Sequence, residues 1–180
     1  MKENTIEQFD KAIKICRDIY VKKLKDYGAS WRIMRPSSIT DQIFIKATRI
    51  RTLETTGNAM VDEGILPEFI AIVNYGIIGL IQLNLGFSDK KDLSVEKAVE
   101  EYDKEMDKTR TLMIAKNHDY NEAWRLMRVT SYTDMILTKL QRTKEIEKND
   151  GHTEISEGID ANYMDMVNYA IFAILILTAE

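Results

Sequence analysis

The chain repeats itself, and the repeat limits what it can fold into more than any other feature. Shifting the 180-residue sequence by 93 positions lays residues 26–54 onto 119–147, with 13 of 29 positions identical. Unrelated segments of that length would share about two at typical residue frequencies. The identities include Tyr27/Tyr120, Trp31/Trp124, Arg32/Arg125, Arg35/Arg128, Lys46/Lys139 and Arg49/Arg142. One extra residue in the second copy changes the shift to 94, which sets Glu63-Gly64-Ile65 on Glu157-Gly158-Ile159 and Val73-Asn74-Tyr75 on Val167-Asn168-Tyr169. Any fold must therefore use one supersecondary unit twice. The units are residues 1–87 and 88–180, with GFSDKKD (Gly86–Asp92) between them, and they are expected to pack as one domain.

Each unit reads as three helices. Only 2 Pro and 8 Gly interrupt the chain, which favours long helices. In the first helix, Thr5 to Lys25, apolar residues recur at three- and four-residue steps; the second copy runs from Ser94 to Asn117, with Ser94 suited to the N-cap. An irregular segment follows in each copy (YGASWRIMRPSS and YNEAWRLMRVTS). The second helix is expected from near Thr40 and Thr133, each followed by an acid that favours the positive helix end. Pro67 suits the first turn of the third helix. The third helices, FIAIVNYGIIGLIQLNL and MVNYAIFAILILT, are apolar nearly all round, as buried helices are. A membrane span is set aside because these runs look short for one and contain Asn74, Asn168 and Asp165. Gly76 and Gly79 match Ala170 and Ala173, so the third helices are expected to meet closely near a pseudo-twofold axis. The fold class is all-α: a six-helix bundle of two pseudo-symmetric three-helix repeats.

The formal net charge of −4 argues against a nucleic-acid backbone as the main partner. The single Cys16 cannot form an internal disulfide, and Ile15 and Ile19 beside it suggest a core residue. With an N-terminus that mixes charges throughout, a cytoplasmic protein without a membrane partner is expected. Whether the fused unit assembles further stays open.

Two sets of residues have the chemistry for a site. At about 100° per helical residue, Asn168 lies about 20° from Glu157 and Asp165 about 80° from it. If the third helix reaches back to Glu157, these three share a face, and two carboxylates with an amide suit a hydrated Mg²⁺. Gly158 could instead leave Glu157 in the preceding loop. The first copy keeps Glu63 and Asn74 but has Ala71 in place of Asp165, so the second copy is the better metal site. The alternative is that Asn74 and Asn168 serve only helix packing.

The second set is basic. Lys46 with Arg49, and Lys139 with Arg142, are spaced three apart on one helix face. Arg32 and Arg35 flank Trp31, as Arg125 and Arg128 flank Trp124. Such a cluster can clamp phosphate oxygens while Trp124 or Tyr120, and Trp31 or Tyr27, offer a ring to a base. The same residues also suit a solvated face and a core plug. No Gly-rich phosphate loop, CxxC pair or HExxH motif occurs, and His118 and His152 lack metal-ligand spacing.

The strings DYGASWRIMRPSSITDQIFIKATRI and DYNEAWRLMRVTSYTDMILTKLQRT, with EGI and VNY in each copy, resemble the nucleotide modification associated domain 1 family. That resemblance implies a link to nucleotide modification and names no reaction. More loosely, the acidic third helix is similar to all-helical nucleoside triphosphate pyrophosphohydrolases, whose Glu and Asp residues bind Mg²⁺ while water attacks the phosphate chain. The chain departs from them: it has no EExxE motif, and ExxD is reduced to Asp165-x-x-Asn168. The resulting expectation is a nucleotide or nucleoside phosphate ligand, with catalysis left open: if the phosphate chain is hydrolysed, Asp165 and Glu157 hold the Mg²⁺ and water attacks. Against it stands a non-catalytic binding module or a purely structural pseudo-dimer.

Overall fold

Asn4 and Ser94 open the first helix of each copy by accepting the backbone N–H three residues on, from Glu7 and Lys97. In the computed structural model, which describes residues 4–58 and 64–179, these helices are α1 (Thr5–Tyr27) and α4 (Val95–Asp119). After α1 the chain turns through Gly28 at φ 69° and ψ −166°, a conformation open mainly to glycine, whereas the second copy turns differently, with Asn121 at φ 50° and Glu122 at φ 57°. A 3₁₀ turn follows in each copy, Ser30–Ile33 and Ala123–Leu126.

The second helices, α2 (Pro36–Thr56) and α5 (Val129–Lys148), begin about one turn earlier than the Thr-Asp pairs suggested. Pro36 sits in the first turn, where its fixed φ suits a helix and its missing N–H costs nothing, with Arg35 extended before it. Thr40 and Thr133 are thereby interior residues whose hydroxyls have other work. The third helices are α3 (Leu66–Leu85) and α6 (Ile159–Thr178). Both are 20 residues long and apolar enough to cross a bilayer, so shortness was a poor argument against a span. Here they are mostly buried in the bundle, packed chiefly on each other, with α2 against α3 and α5 against α6.

A pseudo-twofold axis relates the copies, and reciprocal contacts define it. Arg17 of α1 pairs with Asp103 of α4 at 2.7 Å, while Arg110 of α4 pairs with Asp10 of α1 at 2.6 Å. Thr40 donates to Glu147 at 3.0 Å, and Thr133 donates to Glu54 at 3.1 Å. In each case residue i meets j and the equivalent of j meets the equivalent of i, as in an isologous dimer interface. The fused chain has the internal geometry of a twofold dimer.

The Thr–Glu pairs carry a cost. Burial raises the pKa of Glu54 and Glu147 above the usual carboxylate range, and the Thr hydroxyls only partly offset it. The folded state thus holds protons the unfolded state has released, and stability falls as pH climbs from about 4 through the raised values. The double variant Glu54→Gln/Glu147→Gln keeps an acceptor for each Thr and removes the charge. It is expected to melt higher than the parent at neutral pH and to lose that advantage near pH 4; an advantage that is the same at both pH values would show that the carboxylate charge is not responsible.

Cys16 is fully buried, and burial pushes its thiol up to about 12, so it is an inert core residue.

Candidate functional site

The aromatic and charged halves of the expected site lie in different places. In the first copy a cleft of about 490 Å³ opens between α1, the 3₁₀ turn and α3. Its wall includes Tyr20, Tyr27, Trp31 and Tyr75, with Lys23 beside them and Ala71 on α3. Tyr27 is half exposed, and burial followed by the neighbouring Tyr75 raises its pKa. In the second copy a wider, more polar cleft of about 1010 Å³ lies between the end of α5, the 149–158 loop and the start of α6. Lys139, Arg142, Glu157 and His152 line it.

Between α4, α5 and α6 the second copy also holds a charged cluster. Asp165 is buried, and its two oxygens meet Lys116 at 2.7 Å and Lys139 at 2.9 Å. Burial pulls Lys116 down, and the hydrogen bond and charge of Asp165 more than offset it, so its net shift is upward. Burial and the charge of Asp165 raise the pKa of the nearby Tyr169.

The first copy differs by the position of one acid. Under the repeat, Lys23, Lys46, Ala71 and Tyr75 correspond to Lys116, Lys139, Asp165 and Tyr169. Its acid is Glu68, three residues before Ala71 and so one helical turn away, paired with Arg49 at 3.1 Å and with Lys46 at 3.6 Å. Ile78 takes the place of Phe172, which in the second copy stacks on Trp124 at 5.3 Å. Ala71 and Ile78, which line the first cleft, are smaller than their counterparts Asp165 and Phe172.

Of the residues proposed to hold Mg²⁺, Glu157 lies in the loop before α6, whose N-cap is Gly158, and is exposed. Asn168 is buried and donates to the carbonyl of Thr109 at 3.2 Å. Glu157, Asp165 and Asn168 therefore share no helical face. Both oxygens of Asp165 are already held by ammonium groups, an arrangement that fits a divalent cation poorly. Among the described residues no group of three or more His, Cys, Asp or Glu side chains is placed to hold a metal ion. Glu63 lies outside the described residues.

Asn74 and Asn168 occupy matched places and bond matched carbonyls, Asn74 donating to Cys16 at 3.0 Å. Tyr102 then donates to the Asn74 oxygen at 2.7 Å. The Tyr102 position is Phe9 in the first copy, and accordingly the Asn168 oxygen is buried without a partner. Both amides hold helices together, as their setting in apolar helices requires, and Asn74 also lines the first cleft.

The arginines divide. Arg32 is buried and serves Asp92, Gln82 and the carbonyl of Gly86, which ties the 3₁₀ turn to the linker. Its counterpart Arg125 lies over the Trp124 ring and bonds Thr5 and Glu122. In each copy this arginine holds the approach to the first helix of the other copy, which is a structural task. Arg35 and Arg128 are exposed N-cap residues of α2 and α5, with Arg35 over Phe87, and neither lines the clefts above. Tyr120 is exposed at the end of α4. Trp31 and Trp124 are both buried, so each offers at most part of a ring to a ligand.

The sequence reading missed Lys23, Lys116, Tyr75 and Tyr169. The two lysines are identical under the same 93-residue shift but lie just ahead of the compared window. The tyrosines stood in the repeated VNY string and went unweighed.

A model of one family matches the chain twice, over residues 23–83 and 116–177, together more than half its length. The chain belongs to the nucleotide modification associated domain 1 family. The two matched segments are the two structural repeats, so a single family unit spans the end of one helix, the 3₁₀ turn and two further helices. Lys23 and Lys116 are the first residues of those segments. No curated protein and no solved structure matches the chain.

Proposed function

We propose that this chain binds a nucleoside phosphate and does not transform it, and that the ligand lies in the cleft of the first copy. The observation that carries this reading is the cleft itself. About 490 Å³ is within the usual range for small-ligand pockets, which are mostly apolar with a few placed polar groups. Tyr27 and Tyr75 give a base two aromatic neighbours, and Lys23 stands ready for a phosphate. The family's link to nucleotide modification supports the ligand class. The non-catalytic reading rests on Asp165, whose carboxylate is committed to Lys116 and Lys139.

The test is calorimetric titration with ribo- and deoxynucleoside monophosphates and triphosphates, each with and without Mg²⁺. One equivalent is expected to bind the parent. Tyr27→Ala and Lys23→Ala are each expected to weaken binding about tenfold, as loss of one stacking partner or one charged hydrogen bond does. Binding that neither substitution changes would remove the cleft assignment. No pyrophosphate release is expected from triphosphates with Mg²⁺; release that disappears in Asp165→Ala would overturn the non-catalytic reading and restore the hydrolytic one.

A further inference from the structure

The two copies differ at one position in a way that bears on where an anion sits. In the second copy, a buried carboxylate on α6 lies between a lysine of α4 and a lysine of α5, at 2.7 and 2.9 Å. The first copy keeps both lysines, as Lys23 and Lys46, and the residue that should carry the carboxylate is Ala71, which lines the open cleft together with Lys23. The only acid nearby on α3, Glu68, holds Lys46 at a loose 3.6 Å and bonds Arg49 more closely. Lys23 thus lines the cleft beside Ala71 with no carboxylate among the cleft's lining residues, while Lys46, the counterpart of Lys139, is turned to Glu68 one helical turn away.

We infer that the space over Ala71 in the first copy is an anion subsite, and that Asp165 in the second copy occupies the same subsite permanently with the chain's own carboxylate. The second copy is then a closed version of the site, completed by Phe172 stacked on Trp124 where the first copy has the smaller Ile78. The ligand group is a phosphate or carboxylate, which matches the carboxylate of Asp165 in charge and in its two-sided recognition by ammonium groups. This rests on the nucleoside phosphate reading for the nature of the rest of the ligand, though the subsite itself requires only the anion.

The deciding variant is Ala71→Asp, which copies the second repeat into the first. Because the second repeat already accommodates Asp at this place, the variant is expected to fold with an unchanged or higher melting temperature. Calorimetry with inorganic phosphate and with AMP as probes is expected to show one equivalent of each on the parent. In Ala71→Asp both affinities should fall about 100-fold, since the new carboxylate claims the lysines and repels the ligand. Asp165→Ala is the converse and should raise the phosphate stoichiometry from one to two. Parent-like phosphate binding by a folded Ala71→Asp protein would overturn the subsite while leaving nucleotide binding elsewhere intact. Phosphate bound and lost as expected, with AMP no tighter than phosphate, would keep the subsite and remove the nucleotide reading. Binding of neither probe by the parent overturns both.

Discussion

Replacing Arg32 by Ala is expected to destabilise the protein by about 3–4 kcal/mol, the range for breaking a buried, hydrogen-bonded charged group. The melting temperature should drop on the order of 10 °C for a chain of this size. The loss comes from the groups left behind. Arg32 is 4% exposed and donates to the side chain of Gln82 and, at 2.6 Å, to the carbonyl of Gly86. Gln82 is fully buried and itself caps the carbonyls of Trp31, Arg32 and Met34. Without the guanidinium its oxygen has no donor, and water cannot easily reach it. Asp92 is exposed enough to rehydrate, although Arg32 at present holds its carboxyl below the usual range. Arg32→Lys should rescue little, because one ammonium cannot serve three acceptors laid out for a planar fork. Arg125→Ala should cost less, since its side chain is 24% exposed. Urea unfolding measures all three; an Arg32→Ala loss below about 1 kcal/mol would mean that the linker clamp adds little to stability.

Arg32 also shows where the sequence could and could not be read. The repeat made Arg32 and Arg125 equivalent, and the equivalence is real: each holds the start of the other copy. What periodicity could not give is which partners a charged side chain finds, because these come from the linker and from the other copy, far away in the chain. Helix number, order and pseudo-symmetry were legible because apolar spacing is local and is repeated. The start of α2 was misplaced because Thr-Asp looked like a helix opening, whereas Pro36 fixes the first turn. The face shared by Glu157, Asp165 and Asn168 existed only on an uninterrupted helix, and Gly158 ends it. Lys116 was invisible as a partner of Asp165 because 49 residues separate them and only the packing of α4 on α6 closes the gap. The difference between Ala71 and Asp165 was legible from the start, and its meaning needed the lysines around it.

The close approach of the third helices leads to the largest expected loss. Gly76→Leu should destabilise the protein by more than about 4 kcal/mol, beyond ordinary core changes. A Cβ on Gly76 would run into Cγ2 of Val167 on α6. Val has one strongly preferred rotamer in a helix, so that methyl cannot swing aside, and the helix axes would have to part. Gly76→Ala sets two effects against each other: Ala gains about 1 kcal/mol in helix propensity over Gly, and the overlap costs about 1–3 kcal/mol. The overlap wins, and the net is a modest loss. At Gly79 the nearest atoms to a new Cβ are ring carbons of Tyr163 at 3.1 Å and Cγ2 of Ile39 at 3.2 Å, so small shifts suffice and Gly79→Ala should cost less. The mechanism predicts a specific coupling. Trimming the obstacle with Val167→Ala creates a cavity on its own, but Gly76→Ala fills part of that space, so the double variant should be more stable than the sum of the two single losses predicts. Residues in contact show coupling of about 0.5–3 kcal/mol, whereas independent ones add within about 0.3–0.5 kcal/mol. A strictly additive cycle would place the cost of Gly76→Leu somewhere other than the α3–α6 contact, and with it the reason glycine stands here while the second copy has Ala170.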